Sequence, residues 1–210
     1  MRASTRERIT VWGVRVAVVL GLTVAVAQVV SYRFGLHDAV LDSNTDRSVA
    51  GVLTLVLLGA AVASAWLVTS VSPSARLETG VMAACLSLIL ALELSEPSHV
   101  VALSAPFGAV AVVLLWRLAA TDATAGPVIR AGCVVLGVAF VGHAIGSRLV
   151  TALGQGADSW LYQAKGIVKH AGEIVAWTLL AAGLVAVWVA RRPARSTLRG
   201  ATPLARRGRY

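Results

Sequence analysis

Three ionisable side chains stand inside the last long apolar segment of the chain, the stretch from 165 to 177. His170 and Glu173 are one helical turn apart, and Lys169 precedes Glu173 by four residues. On a helix all three therefore lie on neighbouring parts of one face, which Trp177 continues. Imidazole and carboxylate groups of this kind can hold a metal, relay protons, or join helices through hydrogen bonds.

The composition indicates the surroundings of this face. The chain has 210 residues, of which 57% are hydrophobic and 14% charged, and its mean hydropathy is +0.77. These values exclude an ordinary soluble domain. Because a bilayer core needs roughly 20 apolar residues per helix, this length provides about six spans and leaves no room for a separate soluble domain. We predict a multi-pass protein of the plasma membrane.

The predicted fold is all-α, an integral membrane bundle of six transmembrane helices, present as a monomer or a small homo-oligomer in the lipid bilayer. A single domain covers 1–190, followed by a basic and disordered tail over 191–210. Ala25 to Ala27 follow a basic start and an apolar run, as at the cleavage site of a signal peptide, but we favour an uncleaved first span. The predicted spans cover about 11–30, 49–71, 77–94, 99–118, 129–153 and 166–190.

The distribution of arginine gives the orientation. On one side of the predicted membrane lie Arg2, Arg6, Arg8, Arg76, Arg117, Arg130 and the arginines of the tail. The other connections hold Arg33, Arg47 and Lys165. The positive-inside rule then places both termini in the cytoplasm. Topology explains the net charge of +9, so we expect no nucleic-acid partner.

With this orientation, the charged and histidine side chains in the spans gather at the outer end, and Arg15 is the exception among the charges. A charge within a span costs about 2.5–3.5 kcal/mol on insertion scales unless it pairs or meets water. We therefore expect an outward-opening polar pocket that takes a small ligand, a lipid headgroup or a protein partner. The residues predicted to line it are Glu93, His99, His143, His170 and Glu173.

Three interpretations of this pocket remain open. In the first, His99, His143 and His170, with a nearby glutamate, bind zinc and leave one position for water. In the second, the same groups form a structural network in which Lys169 pairs with Glu173. In the third, Glu173 and His143 relay protons in a transporter, although matching broken helices in the two halves of the chain are not apparent.

Small residues in the apolar spans indicate helix packing. Gly132, Gly137, Gly142 and Gly146 are predicted to mark a face of the fifth span on which another helix packs closely. Cys85 and Cys133 both fall in the middle of apolar spans. We predict that they are small packing residues and not a disulfide or a metal site.

The arrangement resembles a group of bacterial multi-pass membrane proteins that have no assigned activity. The features that carry the resemblance are the acidic stretch Asp42 to Ser48, Glu93 six positions before His99, and the helix start from His170 to Trp177. The resemblance covers most of the chain and implies a membrane bundle.

A fainter resemblance is to the ceramidase-like membrane hydrolases, which use a serine, an aspartate and three histidines around zinc. Ser95 and His99 have the serine and histidine spacing of that family. The chain lacks the family's paired histidines on the last span and its seventh helix. This resemblance implies a zinc-dependent hydrolase acting on a lipid-like substrate at the outer leaflet.

Overall fold

The computed structural model describes residues 2–34, 48–95, 100–156 and 159–192. Within these residues six helices are long and apolar enough to cross a membrane, which confirms the predicted helical architecture and is compatible with a multi-pass membrane protein. A short 3-10 turn, Pro73–Ala75, precedes the third helix. The helices are α1 (Arg2–Phe34), α2 (Val49–Ser70), α3 (Arg76–Ser95), α4 (Val100–Ala120), α5 (Gly126–Ala152) and α6 (Trp160–Arg191).

Two helices begin earlier than the apolar pattern indicates. α1 already starts at Arg2, and α6 starts at Trp160 rather than near 166. Ser159 caps α6, because its hydroxyl accepts a hydrogen bond from the backbone N–H of Tyr162 at 3.2 Å. Lys165 therefore lies on α6 and not in the preceding connection. A prediction from apolar residues alone misses such starts, because polar residues are compatible with the first turn of a helix.

α6 is the helix around which the others are arranged. It packs against α1, α2 and α5, while α2 packs on α3, α3 on α4, and α4 on α5. Helices α2 to α6 therefore form a closed ring of neighbours, and α1 packs on the outer side of α6. We call the end where α1 begins and α6 ends the basic end. The end where α1 ends and α6 begins is the far end.

Glycines bring α5 and α6 together as antiparallel neighbours. A Cβ placed on Gly142 would lie 2.9 Å from Cγ1 of Val168, and Gly132 and Gly146 meet α6 just as closely. Gly137 has no atom within 4 Å of such a Cβ, so its predicted place on this face is wrong. Gly137 is five positions from both Gly132 and Gly142 along the helix, so it is turned away from the helix face that they share.

The outer helix α1 meets α6 in the same manner and adds a buried polar contact. A Cβ on Gly21 would lie 2.5 Å from Cγ2 of Val175. Gln28 and Gln163 are both buried, and the Gln28 amide donates a hydrogen bond to the side-chain oxygen of Gln163. Interhelical amide contacts of this kind hold helices together in an apolar medium.

The interior of the ring is apolar over its middle and its basic end. Cys85 and Cys133 belong to this core as small packing residues, as predicted, and both thiols are free and buried. The other core residues with the largest buried side chains come from all five helices of the ring: Leu58, Val68, Met82, Leu86, Leu115, Ile129, Leu180, Leu184 and Val187.

Candidate functional site

The core-facing stripe of α6 changes from apolar to polar at the far end. Trp177, Leu180 and Leu184 belong to the apolar core, at intervals of three and four residues. Glu173 and His170 continue the same intervals toward the start of the helix. Both side chains are therefore directed to the side of α6 that faces the ring interior.

His170 and Glu173 lie side by side within the same turn, at a distance that makes them an ion pair when the imidazole is protonated. Nδ1 of His170 lies 3.8 Å from Oε2 of Glu173, and the two side chains are 12% and 22% accessible. The charge of Lys169 also acts on Glu173, but from beyond ion-pair distance. The structural interpretation named Lys169 as the partner of Glu173, whereas the geometry gives that place to His170.

Glu93 continues the corresponding stripe of α3. Met82, Leu86 and Ile89 are buried core residues, and Glu93 follows Ile89 by four positions. Glu93 is exposed at the far end, and its charge acts on Glu173. α3 and α6 are not adjacent in the ring, and the charge of Glu93 nevertheless reaches Glu173 at the far end.

His143 lies on the face of α5 that packs against α6. It follows buried Ala139 by four residues and precedes Gly146 by three. Its Nδ1 atom is buried and has no hydrogen-bond partner among the described residues. The charges of Lys165 and Lys169 both act on this imidazole. His143 therefore lies beside the lysines of α6, whereas Glu173 is paired with His170.

Lys165 is held in place by its own contacts. Its aliphatic carbons cover Gly146, where a Cβ would lie 3.0 Å from Cγ of the lysine. Its ammonium lies 4.2 Å from the ring centroid of Tyr162, a cation–π contact. The close approach that Gly146 allows thus places a positive charge at the rim of the far end.

Several predicted residues lie outside the described part of the chain: His99, the acidic stretch 42–47, and the tail from 193 onward. Ser95 is described, and its hydroxyl donates to the backbone oxygen of Leu92 at 3.0 Å. Among the described residues, no group of three His, Cys, Asp or Glu side chains could hold a metal ion. The predicted zinc set includes His99, so it stays a prediction.

The sequence analysis missed a polar contact at the basic end. Arg6 donates to both carboxylate oxygens of Asp122, joining the start of α1 to the turn between α4 and α5. The same carboxylate accepts the backbone N–H groups of Thr124 at 3.0 Å and Ala125 at 2.9 Å. An aspartate two residues before a threonine in a short connection is a local turn signal that could have been recognised.

A buried serine at the far end was also missed. Ser104 on α4 is 9% exposed and precedes the buried residues Ala111 and Leu115 on the core-facing side of that helix. Its hydroxyl adds to the polar groups that α3, α5 and α6 carry at the far end. We call Glu93, Ser104, His143, His170 and Glu173 the far-end cluster.

No protein-family model matches this chain, and no curated protein and no solved structure matches it either. The proposal for function therefore rests on the far-end cluster itself. Its carboxylates, imidazoles and hydroxyl can hold a cationic group, a proton or a polar headgroup.

Proposed function

We propose that this protein is an integral membrane protein whose far-end cluster is an outward-facing pocket for a small ligand. One observation carries the proposal. Glu93 and Glu173 continue the core-facing stripes of α3 and α6, whose next turns are apolar, and His143 lies on the face of α5 that packs against α6. Polar groups that several helices direct toward one enclosed end favour a binding site over scattered lipid-facing charges.

The length of α6 supports a position of this cluster near a membrane boundary. The helix has 32 residues, about 48 Å at 1.5 Å per residue, whereas a hydrocarbon core is about 30 Å thick. Counting roughly 20 residues back from Arg191 reaches the region of Glu173. The pocket would then open at the level of the lipid headgroups, where water reaches its charged groups.

Aromatic and basic residues support the orientation, with both termini in the cytoplasm. Tryptophan is typical of the membrane boundary, and arginine of its cytoplasmic side. Three arginines lie over tryptophan rings, and all three pairs belong to the basic half of the bundle. These pairs are Arg15 with Trp12 at 5.6 Å, Arg130 with Trp116 at 5.8 Å, and Arg192 with Trp188 at 4.9 Å. At the far end, the rings of Tyr32 and Trp160 pack against each other in a tilted arrangement, with their centroids 5.5 Å apart.

The apolar interior favours binding over transport. Directly beyond Glu173, the ring is filled by Trp177, Leu180 and Leu184, together with Leu86 and Leu115 of the facing helices. A carrier needs a polar site that reaches either side in turn, whereas the buried hydroxyl of Thr178 in these turns is already bonded to the backbone oxygen of Ile174 at 2.7 Å. Zinc-dependent hydrolysis of a lipid-like substrate remains the alternative, since His99 could complete a metal site.

The charges in the cluster indicate the class of ligand. Glu173 is acted on by the positive charge of Lys169 and, less strongly, by the like charge of Glu93. A cationic group between two carboxylates lowers their electrostatic energy, and more so in partly buried surroundings. We therefore propose a ligand that carries an amine or another positive group, with the lysines at the rim available to an anionic part of the same molecule.

Retention of α1 is part of this proposal. Ala25 to Ala27, the predicted alternative cleavage site, lie within the unbroken helix α1. Gln28, the next residue, is buried against Gln163. Cleavage after Ala27 would remove the part of α1 that carries Gly21, and with it the close contact between Gly21 and Val175 of α6. We expect the intact mass of the purified protein to include α1.

The binding proposal is tested by thermal unfolding of the purified protein with ethanolamine, choline or zinc chloride. We expect an amine to raise the unfolding temperature, and Glu173→Gln to remove this increase. Glu78→Gln, at the basic end, removes an equal charge and should leave the increase unchanged. If no amine stabilises the protein, or Glu173→Gln responds as the unsubstituted protein does, the proposal is wrong. Stoichiometric zinc by elemental analysis would instead favour the hydrolase.

A further inference from the structure

A second polar region lies at the basic end, away from the far-end cluster. It is a cavity of about 120 Å³ between the start of α3, the end of α4 and the end of α6. A single water needs only roughly 10–15 Å³ on the same measure, so a larger polar group fits here. Residues of three helices line the cavity, among them Glu78, Thr79, Met82, Arg117, Thr121 and Arg191.

Arg191 contributes a positive charge to this cavity. Its guanidinium donates hydrogen bonds to the hydroxyl oxygens of Ser72 at 2.8 Å and Thr121 at 3.1 Å. These two partners are uncharged, so they orient the guanidinium without cancelling its charge. An oriented guanidinium loses little further freedom when it binds an anion.

Arg117 contributes a second guanidinium to the lining of the cavity. Its Nη2 lies 3.0 Å from Oε1 of Glu78, and the two side chains are 64% and 48% exposed. Exposed ion pairs of this kind are weak, so an anion with more than one oxygen can compete for the arginine. With two arginines and one glutamate, the lining favours an anion.

The inner wall of the cavity is apolar. Met82 and Leu118 are almost fully buried, and Leu114 lies beside them. Met82 follows Arg76, the first residue of α3, by six positions, which is about 9 Å along a helix. The cavity thus joins a cationic opening at the end of the bundle to an apolar wall one to two turns deeper.

An anionic phospholipid has a charged headgroup for such an opening and acyl chains for the exposed apolar side chains beside it, among them Leu77 on α3 and Val113 on α4. We propose that this cavity binds an anionic phospholipid, with its phosphate between Arg117 and Arg191 and its acyl chains along the apolar surfaces of α3 and α4. Basic pockets between membrane helices commonly bind anionic headgroups in this way. The inference requires that the protein is embedded in a membrane, but it is independent of any ligand at the far end.

The test is native mass spectrometry of the full chain with phosphatidylglycerol or phosphatidylcholine. We expect phosphatidylglycerol to be retained preferentially. Arg117→Gln should weaken its retention about fivefold, because one arginine near an anionic surface contributes about 1 kcal/mol of binding free energy. Glu78→Gln removes the competing carboxylate and should tighten retention. Arg192→Gln is the control, because Arg192 is exposed over Trp188 and does not line the cavity.

Three outcomes would overturn the proposal. The first is equal retention of the two lipids. The second is an Arg192→Gln loss as large as that of Arg117→Gln, which would indicate attraction by surface charge alone. The third is binding of inorganic phosphate at millimolar concentration that depends on Arg117 and displaces the lipid, which would assign the site to free phosphate. Arg117 is exposed, so its substitution should leave folding intact. Glu78→Gln tests the proposal through an expected increase in lipid retention.

Discussion

The contact between α5 and α6 is so close that one added methyl group should be measurable. A Cβ on Gly172 would lie 2.6 Å from Cβ of Ala139 on the facing helix, closer than real Cβ atoms come. Gly172→Ala must therefore push the two helices apart. Extra methyl groups in a packed interior cost about 1–3 kcal/mol, and this substitution should do the same.

The control for this prediction is Gly137→Ala on α5. A Cβ there has no atom within 4 Å, so the substitution adds a methyl group without a clash. Both substitutions gain the helix propensity of alanine over glycine, about 1 kcal/mol, so the difference between them isolates the clash. We expect Gly172→Ala to be less stable than Gly137→Ala by about 1–3 kcal/mol.

A second substitution should reverse the effect. Ala139→Gly removes the methyl group that Gly172→Ala meets, so the double variant should recover the stability lost to the clash. Equilibrium unfolding in mixed micelles, carried out as a double-mutant cycle, measures this coupling. A coupling energy within about 0.5 kcal/mol of zero would mean additive effects, and the described packing of α5 on α6 would then be refuted.

Two further predictions concern α1. Arg6→Gln leaves the Asp122 carboxylate without its arginine and should lower the free energy of unfolding by about 1–3 kcal/mol, measured in micelles, whereas exposed Arg8→Gln should change it little. An equal loss in both variants would contradict the described contact. Gln28→Leu should lower the free energy of unfolding by about 0.6–2 kcal/mol. The double variant with Gln163→Leu should lose less than the sum of the two single substitutions, and strictly additive losses would contradict the shared hydrogen bond.

The sequence predicted the helices well because each is a long apolar run. It also predicted which side of α6 carries the polar groups, since the spacing from His170 to Trp177 places them on one face whatever surrounds the helix. The order of helices around α6 could not be predicted in this way. Apolar helices present similar surfaces on many sides, so the ring formed by α2 to α6 and the outer place of α1 depend on tertiary packing.

Side-chain partners were harder to predict than helix faces. The spacing from Lys169 to Glu173 is suited to an ion pair, yet the neighbouring α5 places His143 beside Lys169 while His170 pairs with Glu173. Gly137 failed for a related reason, because the presence of a glycine does not show on which side of a helix it lies. Both errors come from interpreting one helix without its neighbour.

The basic end shows a different limit of the sequence. The positive-inside rule accounts for Arg117 and Arg191 as a group, and so it gives no reason to look for individual contacts. The structure places Arg191 between two hydroxyls and Arg117 beside Glu78, which come from separate parts of the chain. Such cavities depend on where three helix ends meet.

We propose that the far end of the ring opens outward and is filled with water above an apolar core. This proposal is tested most directly by labelling Glu173→Cys and Leu180→Cys with a membrane-impermeant maleimide on intact cells, in a background with Cys85→Ala and Cys133→Ala. We expect rapid labelling of Glu173→Cys and none of Leu180→Cys. Equal labelling of the two, or labelling of Glu173→Cys only after the cells are opened, would contradict it.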